Sequence, residues 1–170
     1  MSVVCVRVYD DKIQIAADSI LTRGWSKRTD SKFAKLARIN NIIVGSVGTA
    51  QECSLMWHFM ETHNPKEATE KSVLDFVIEF SKWKDDYGSG KEIKNTYLLV
   101  FDGKCFLIEG SFVYEITNYC AIGAGEDFAN AALYLGHTSK EAVKVAAELS
   151  CYVAEPIIEE EMSKKKEVCE

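Results

Sequence analysis

The chain has 170 residues, 47% of them hydrophobic, and a formal net charge of −6. That is enough for one domain with a packed core and too apolar for wholesale disorder. The acidic balance argues against nucleic acid or an anionic membrane as main partner, and no apolar run approaches the ~20 residues of a membrane span.

The first segment, Met1-Ser2-Val3-Val4-Cys5-Val6-Arg7-Val8-Tyr9, is apolar and β-branched and reads as a strand. Asp10-Asp11 gives a polar turn, and Lys12–Asp18 alternates polar and apolar as a half-buried strand does. A two-residue turn pairs Tyr9 with Lys12. Carried to the end of the hairpin, that register sets Ser2 opposite Ser19, with Asp18 beside it. Removal of Met1, which a small second residue permits, would leave Ser2 with both a hydroxyl and a free α-amine. A serine hydroxyl is a poor nucleophile until a base takes its proton. An α-amine titrates near pH ~8 and suits that task, and a hydroxyl paired with its own amine is a recurring catalytic arrangement. Cys5, inside the apolar strand, reads as a core residue.

Such a site also needs a cation and an oxyanion donor. Lys32, in Asp30-Ser31-Lys32-Phe33-Ala34-Lys35-Leu36, is the expected partner of Asp18. Asn41–Gly48 is an apolar strand running into a glycine-punctuated turn. Gly45 is the expected place where a substrate carbonyl meets a backbone N–H.

Thr49-Ala50-Gln51-Glu52 opens a helix in capping-box style, with Cys53, Met56, Phe59 and Met60 at helical spacing, and it ends near His63-Asn64-Pro65. A second helix carries Val73, Phe76, Val77, Phe80 and Trp83 on one face. Strands follow at 96–101 and 104–109 around the Asp102-Gly103 turn, then at 111–116 and 119–122. Helices are expected at 127–135 and 139–153. Beyond Ile157 come Glu159-Glu160-Glu161 and Lys164-Lys165-Lys166, read as a solvated helix end or disordered tail. The expected organisation is a single domain over 1–157 and a charged tail over 158–170. The six cysteines form no C-x-x-C pair and no cluster with the three histidines. His58, His63 and His137 are off metal spacing and receive no catalytic role. Reduced thiols, no metal, no cofactor and a cytoplasmic location are therefore expected. Strands, two helices, strands, two helices argue against a doubly wound parallel sheet. They predict an α+β, four-layer α-β-β-α sandwich of two antiparallel sheets flanked by helix pairs.

On these residues the chain resembles the proteasome β-subunit and HslV family of N-terminal-nucleophile (Ntn) hydrolases. The likeness rests on Ser2 heading its strand, Ile15-Ala16-Ala17-Asp18, Lys32-Phe33-Ala34-Lys35-Leu36, Ile43-Val44-Gly45-Ser46-Val47-Gly48, and Ile122-Gly123-Ala124-Gly125 before a helix. It covers about residues 2–157, and its weight lies in the ordered set rather than in any one motif. The resemblance implies a peptidase with Ser2 as nucleophile, Asp18 and Lys32 setting the electrostatics, and Gly45 binding the oxyanion. Thr22 would hold the substrate backbone, and Gly48 would bind substrate as part of the same oxyanion turn as Gly45; from their position, Ile20 and Leu21 are expected to line the cleft. It also implies a peptide or unfolded-protein substrate, a ring-forming homo-oligomer and an ATP-dependent unfoldase as partner.

The chain departs from the family's pattern in its Ser nucleophile, an earlier Lys32, Ala124 where a serine supports the amine, and Ser150 and Val153 at two further supporting positions. Two alternatives therefore stand beside the peptidase: a ring or scaffold protein without the chemistry, and an amidohydrolase of the same fold acting on a small amide.

Overall fold

The computed structural model describes residues 2–24, 26–28 and 33–164. Strands β1 (Val4–Val8) and β2 (Lys12–Asp18) form the first hairpin. Its register pairs Val4 with Ala17 and Val8 with Ile13, and Tyr9 N–H donates to the Lys12 carbonyl at 2.8 Å. This is the register that a two-residue Asp10-Asp11 turn dictates. A short hairpin, β3 (Leu21–Arg23) and β4 (Ser26–Arg28), follows. Next come β5 (Leu36–Ile39), β6 (Ile42–Val47), helices α1 (Ala50–Met60) and α2 (Glu70–Asp85), and strands β7 (Thr96–Phe101), β8 (Lys104–Glu109), β9 (Phe112–Ile116) and β10 (Tyr119–Ile122). Helices α3 (Glu126–Tyr134) and α4 (Ser139–Leu149) and strand β11 (Ile157–Ser163) complete the fold.

One sheet has the order β10-β1-β2-β11 and the other β5-β6-β7-β8-β9, and every pairing is antiparallel. Side chains alternate across each strand, which sorts the core into three layers. Val4, Val6, Ile13, Ile15, Ile43, Leu98, Val100 and Leu107 meet between the sheets. Val3, Cys5 and Ala16 face α3 and α4 on one outer side. Val44, Tyr97, Leu99 and Phe106 face α1 and α2 on the other. The result is the four-layer α-β-β-α sandwich. Cys5 lies fully buried in the α3–α4 layer, where its thiol donates to the Ser139 carbonyl at 3.1 Å and burial pushes its pKa far up.

Two expectations change. Ile157–Ser163 is neither helix end nor free tail: it pairs with β2 along its whole length, Ile157 opposite Asp18 and Ser163 opposite Lys12. The charge run conceals an alternating edge strand. Ile158 and Met162 turn inward onto the inter-sheet core, while Glu161 pairs with Lys12 at 2.8 Å. Glu160 reaches across to Arg38 on β5 at 2.9 Å. Secondly, α4 stops at Leu149, four residues earlier than expected. Ser150 is already extended there, and its hydroxyl accepts from Tyr152 N–H at 3.2 Å. Among the described residues no helix is long and apolar enough to cross a membrane.

Candidate active site

Extending the β1–β2 hairpin by one pair brings Asp18 N–H to the Val3 carbonyl at 3.2 Å, and Val3 N–H to Asp18 Oδ1 at 2.8 Å. Asp18 is fully buried at this strand end, and Ser2, 5% exposed, is next in the chain. The second carboxylate oxygen of Asp18 accepts from Ile20 N–H at 3.2 Å and from a lysine ammonium at 2.7 Å. That lysine is Lys35. Lys32, the cation expected from the sequence, lies outside the described residues. Burial lowers the pKa of the Lys35 ammonium, and the charge and hydrogen bond of Asp18 act in the opposite direction.

Lys35 arrives here through hairpin geometry. Asn40 and Asn41 both have positive φ, 48° and 65°, and form a two-residue turn between β5 and β6. The pairing runs Ile39 to Ile42 and Leu36 to Gly45, and Ser46 N–H donates to the Lys35 carbonyl at 2.9 Å. Lys35 is thereby fixed beside the end of β6.

The residues converge on a cleft of about 190 Å³ whose lining includes Ser2, Lys35, Ser46, Gly48, Thr49 and Cys53. Ile20, Leu21 and Thr22 line it as well. Gly45 does not. It sits in mid-strand between Leu36 and Leu98, its backbone bracketed by strands on both sides. A Cβ there would lie 2.5 Å from Val4 Cγ1. Gly45 is a packing glycine that lets the two sheets close, and its expected oxyanion role falls away for that reason. Gly48, past the last ladder pair of Val47 with Thr96, is the glycine at the cleft. Its φ is +130°, a conformation that L side chains rarely adopt.

Ala124 is exposed, and Ser2 is held from that side through its backbone, Gly125 N–H donating to the Ser2 carbonyl at 3.2 Å. Val153 is buried in the layer with Val3 and Ala146. Cys53 also faces the cleft, but burial pushes its thiol up to about 12, so it is protonated at neutral pH. No group of three or more His, Cys, Asp or Glu gathers as a metal cluster among the described residues.

Comparison with solved structures places this architecture. Thiobacillus denitrificans BPH in complex with epoxomicin superposes with a TM-score of 0.89 at 17% identity, over 96% of this chain and 99% of that one. The fold is the HslV-type, proteasome-like one. Eukaryotic HslV from Trypanosoma brucei matches with a TM-score of 0.73 at 20% identity, over 95% of this chain and 99% of that one. Anbu, the ancestral beta-subunit from Yersinia bercovieri, matches at 0.71 and 14%, over 94% and 80%. No family model and no curated protein matches the sequence. At such identities the shared property is the HslV-type fold itself.

Proposed function

We propose that the chain is an N-terminal serine hydrolase of peptide bonds. The observation that carries this reading is the convergence of Ser2, the Asp18–Lys35 pair and Gly48 on one cleft. With Met1 removed, the Ser2 hydroxyl attacks the substrate carbonyl carbon. Its proton passes to the Ser2 amine, directly or through a water. The C–N bond then breaks, the leaving amine takes that proton, and an ester to Ser2 Oγ remains. Water attacks the ester carbonyl and gives a proton to the amine, which passes it to Ser2 Oγ as the ester C–O bond breaks, releasing the acid and restoring the hydroxyl and the free amine.

Lys35, held by Asp18, is a fixed positive charge that favours the unprotonated amine and the developing alkoxide. Gly48 supplies the oxyanion N–H. Ser46 N–H points toward Lys35, and a strand's amides alternate sides. Gly48, two residues further and beyond the ladder, therefore directs its N–H the same way. Leu21 and Thr22, on the β3–β4 hairpin, give a substrate strand backbone to lie against, with Ile20 beside it. The family resemblance extends the proposal to a ring-forming homo-oligomer acting on peptides or unfolded protein, fed by an ATP-driven unfoldase.

One observation favours the ring subunit without chemistry: apolar Val153 is buried beside Val3, where the family pattern has a polar support for the amine. The intact mass after incubation with epoxomicin separates the two. An epoxyketone closes its ring on a hydroxyl and the amine next to it. A mass lacking Met1 and carrying one inhibitor, abolished by Ser2→Ala in a variant of unchanged assembled size, is the expected result. A mass retaining Met1 with no adduct overturns the peptidase.

A further inference from the structure

Resting on that reading, we propose that Asn95 is a positioning residue that clamps the Gly48–Thr49 turn in its oxyanion-binding form, with the buried Glu52–Lys84 pair as its anchor.

Asn95 precedes β7 and is 1% exposed. Its Oδ1 accepts from Thr49 N–H at 2.7 Å, and its Nδ2 donates to the Thr49 carbonyl at 2.9 Å and to Ser46 Oγ at 3.2 Å. One side-chain amide thus grips both ends of the turn. Its orientation is settled by its partners, since a backbone N–H only donates and a carbonyl only accepts. The fit is mutual: a Cβ on Gly48 would lie 2.2 Å from Asn95 Oδ1. Because Asn95 takes the Thr49 N–H, the Gly48 N–H is the donor that the turn is left to offer the cleft.

The amide is itself held. Glu52 Oε1 accepts from Asn95 N–H at 2.9 Å and from the Tyr97 hydroxyl at 3.1 Å, and Lys94 N–H donates to both carboxylate oxygens at 3.1 Å. Lys84 Nζ, fully buried, donates to Glu52 Oε2 at 3.0 Å and to the Glu92 carbonyl. Glu52 stands in the first turn of α1, whose N-cap is Thr49. One carboxylate therefore ties the start of α1, the approach to β7 and, through Asn95, the turn between β6 and α1. A buried polar network with its members satisfied specifies one geometry, which is what a preorganised oxyanion donor needs.

The test is the kinetics of epoxomicin modification in the wild type, Asn95→Ala and Asn95→Asp, each first shown to be folded by its thermal transition. Asn95→Asp keeps the acceptor for Thr49 N–H and loses both donated bonds, so it serves if Asn95→Ala does not fold. The expected result is a saturable binding step within twofold of wild type and a maximal modification rate reduced on the order of 10²-fold in Asn95→Ala, with Asn95→Asp in between. An unchanged maximal rate in a folded variant overturns the proposal. So does a weakened binding step with an unchanged maximal rate, since that assigns Asn95 to shaping the cleft. A wild type that does not react at all overturns the peptidase reading, and this inference with it, a result distinct from the other two.

Discussion

Two buried lysine–carboxylate pairs flank the Gly48 turn, and they are built differently. Glu52–Lys84 is sealed: Lys84 has no exposure, and its ammonium meets Glu52 and the Glu92 carbonyl while the carboxylate collects backbone and tyrosine donors. Asp18–Lys35 is open on one side. Asp18 accepts from Val3 N–H, Ile20 N–H and Lys35, while Lys35 lines the cleft and Asp18 is its ion-pair partner among the described residues. A sealed pair fixes geometry and does nothing else. A pair with one member facing a cleft keeps charge and donors to offer a reacting group, and its burial lowers the lysine pKa.

The sharpest break of this comparison is in stability. Lys84→Met strands the Glu52 carboxylate in the core and is expected to cost about 3–5 kcal/mol in urea unfolding. Adding Glu52→Gln should recover much of that loss, because the uncompensated charge goes with it. Lys35→Met should cost less, about 1–3 kcal/mol, since Lys35 lines the cleft and water can take the place of its ammonium beside Asp18, whereas the fully buried Lys84 leaves no such route. Its larger effect should be on chemistry, a fall of roughly 10²-fold in epoxomicin modification rate. Equal stability losses in the two variants would erase the distinction.

The pH dependence sharpens it further. The pKa of Lys35 is lowered in the folded state, so between that value and its ordinary value the unfolded chain binds more protons. Stability then rises with pH across that window. The contribution is fully present above the ordinary lysine value and is lost as pH falls through the folded one. Relative to Lys35→Met, the wild type should therefore gain unfolding free energy as pH is raised toward 10.5. A flat difference between the two proteins would remove the argument that burial strains this ammonium.

Much of this arrangement was legible in the sequence where a single local rule governs. The first hairpin's register follows from its two-residue turn, and it delivers Ser2 and Asp18 to one strand end. The four layers follow from helices coming in pairs. The sequence was less decisive where two residues of one type lie close together. Lys35 holds the Asp18 carboxylate while Lys32 lies outside the described residues, and the signal that places Lys35 is the Asn40-Asn41 turn, which sets it opposite Ser46. Gly45 and Gly48 both punctuate one strand. Only the opposite sheet, bringing Val4 against Gly45, tells a packing glycine from a cleft glycine. Glu52 presented itself as the partner half of a capping box. Thr49 Oγ does accept from Glu52 N–H at 3.3 Å, but the Glu52 carboxylate turns inward to Lys84, a partner 32 positions away that no local pattern reveals. The β11 strand was hidden because its outward glutamates dominate the composition while Ile158 and Met162 carry the alternation.

The smallest expected effect probes the wall between the two pairs. Cys53 follows Glu52 on α1 and faces the cleft, where burial raises its thiol to about 12. At pH 8 roughly one such thiol in 10⁴ is ionised, and the thiolate is the form that reacts. Cys151, by contrast, is exposed. Iodoacetamide at pH 8 should therefore modify Cys151 promptly and leave Cys53 unmodified until urea unfolds the chain, as read by peptide mass. In Lys84→Met, below its unfolding transition, Cys53 labelling should rise if loss of the sealed pair loosens the start of α1. Early labelling of Cys53 in the wild type would mean that the wall breathes into the cleft, and that the Glu52–Lys84 pair is wetter than its fully buried lysine implies.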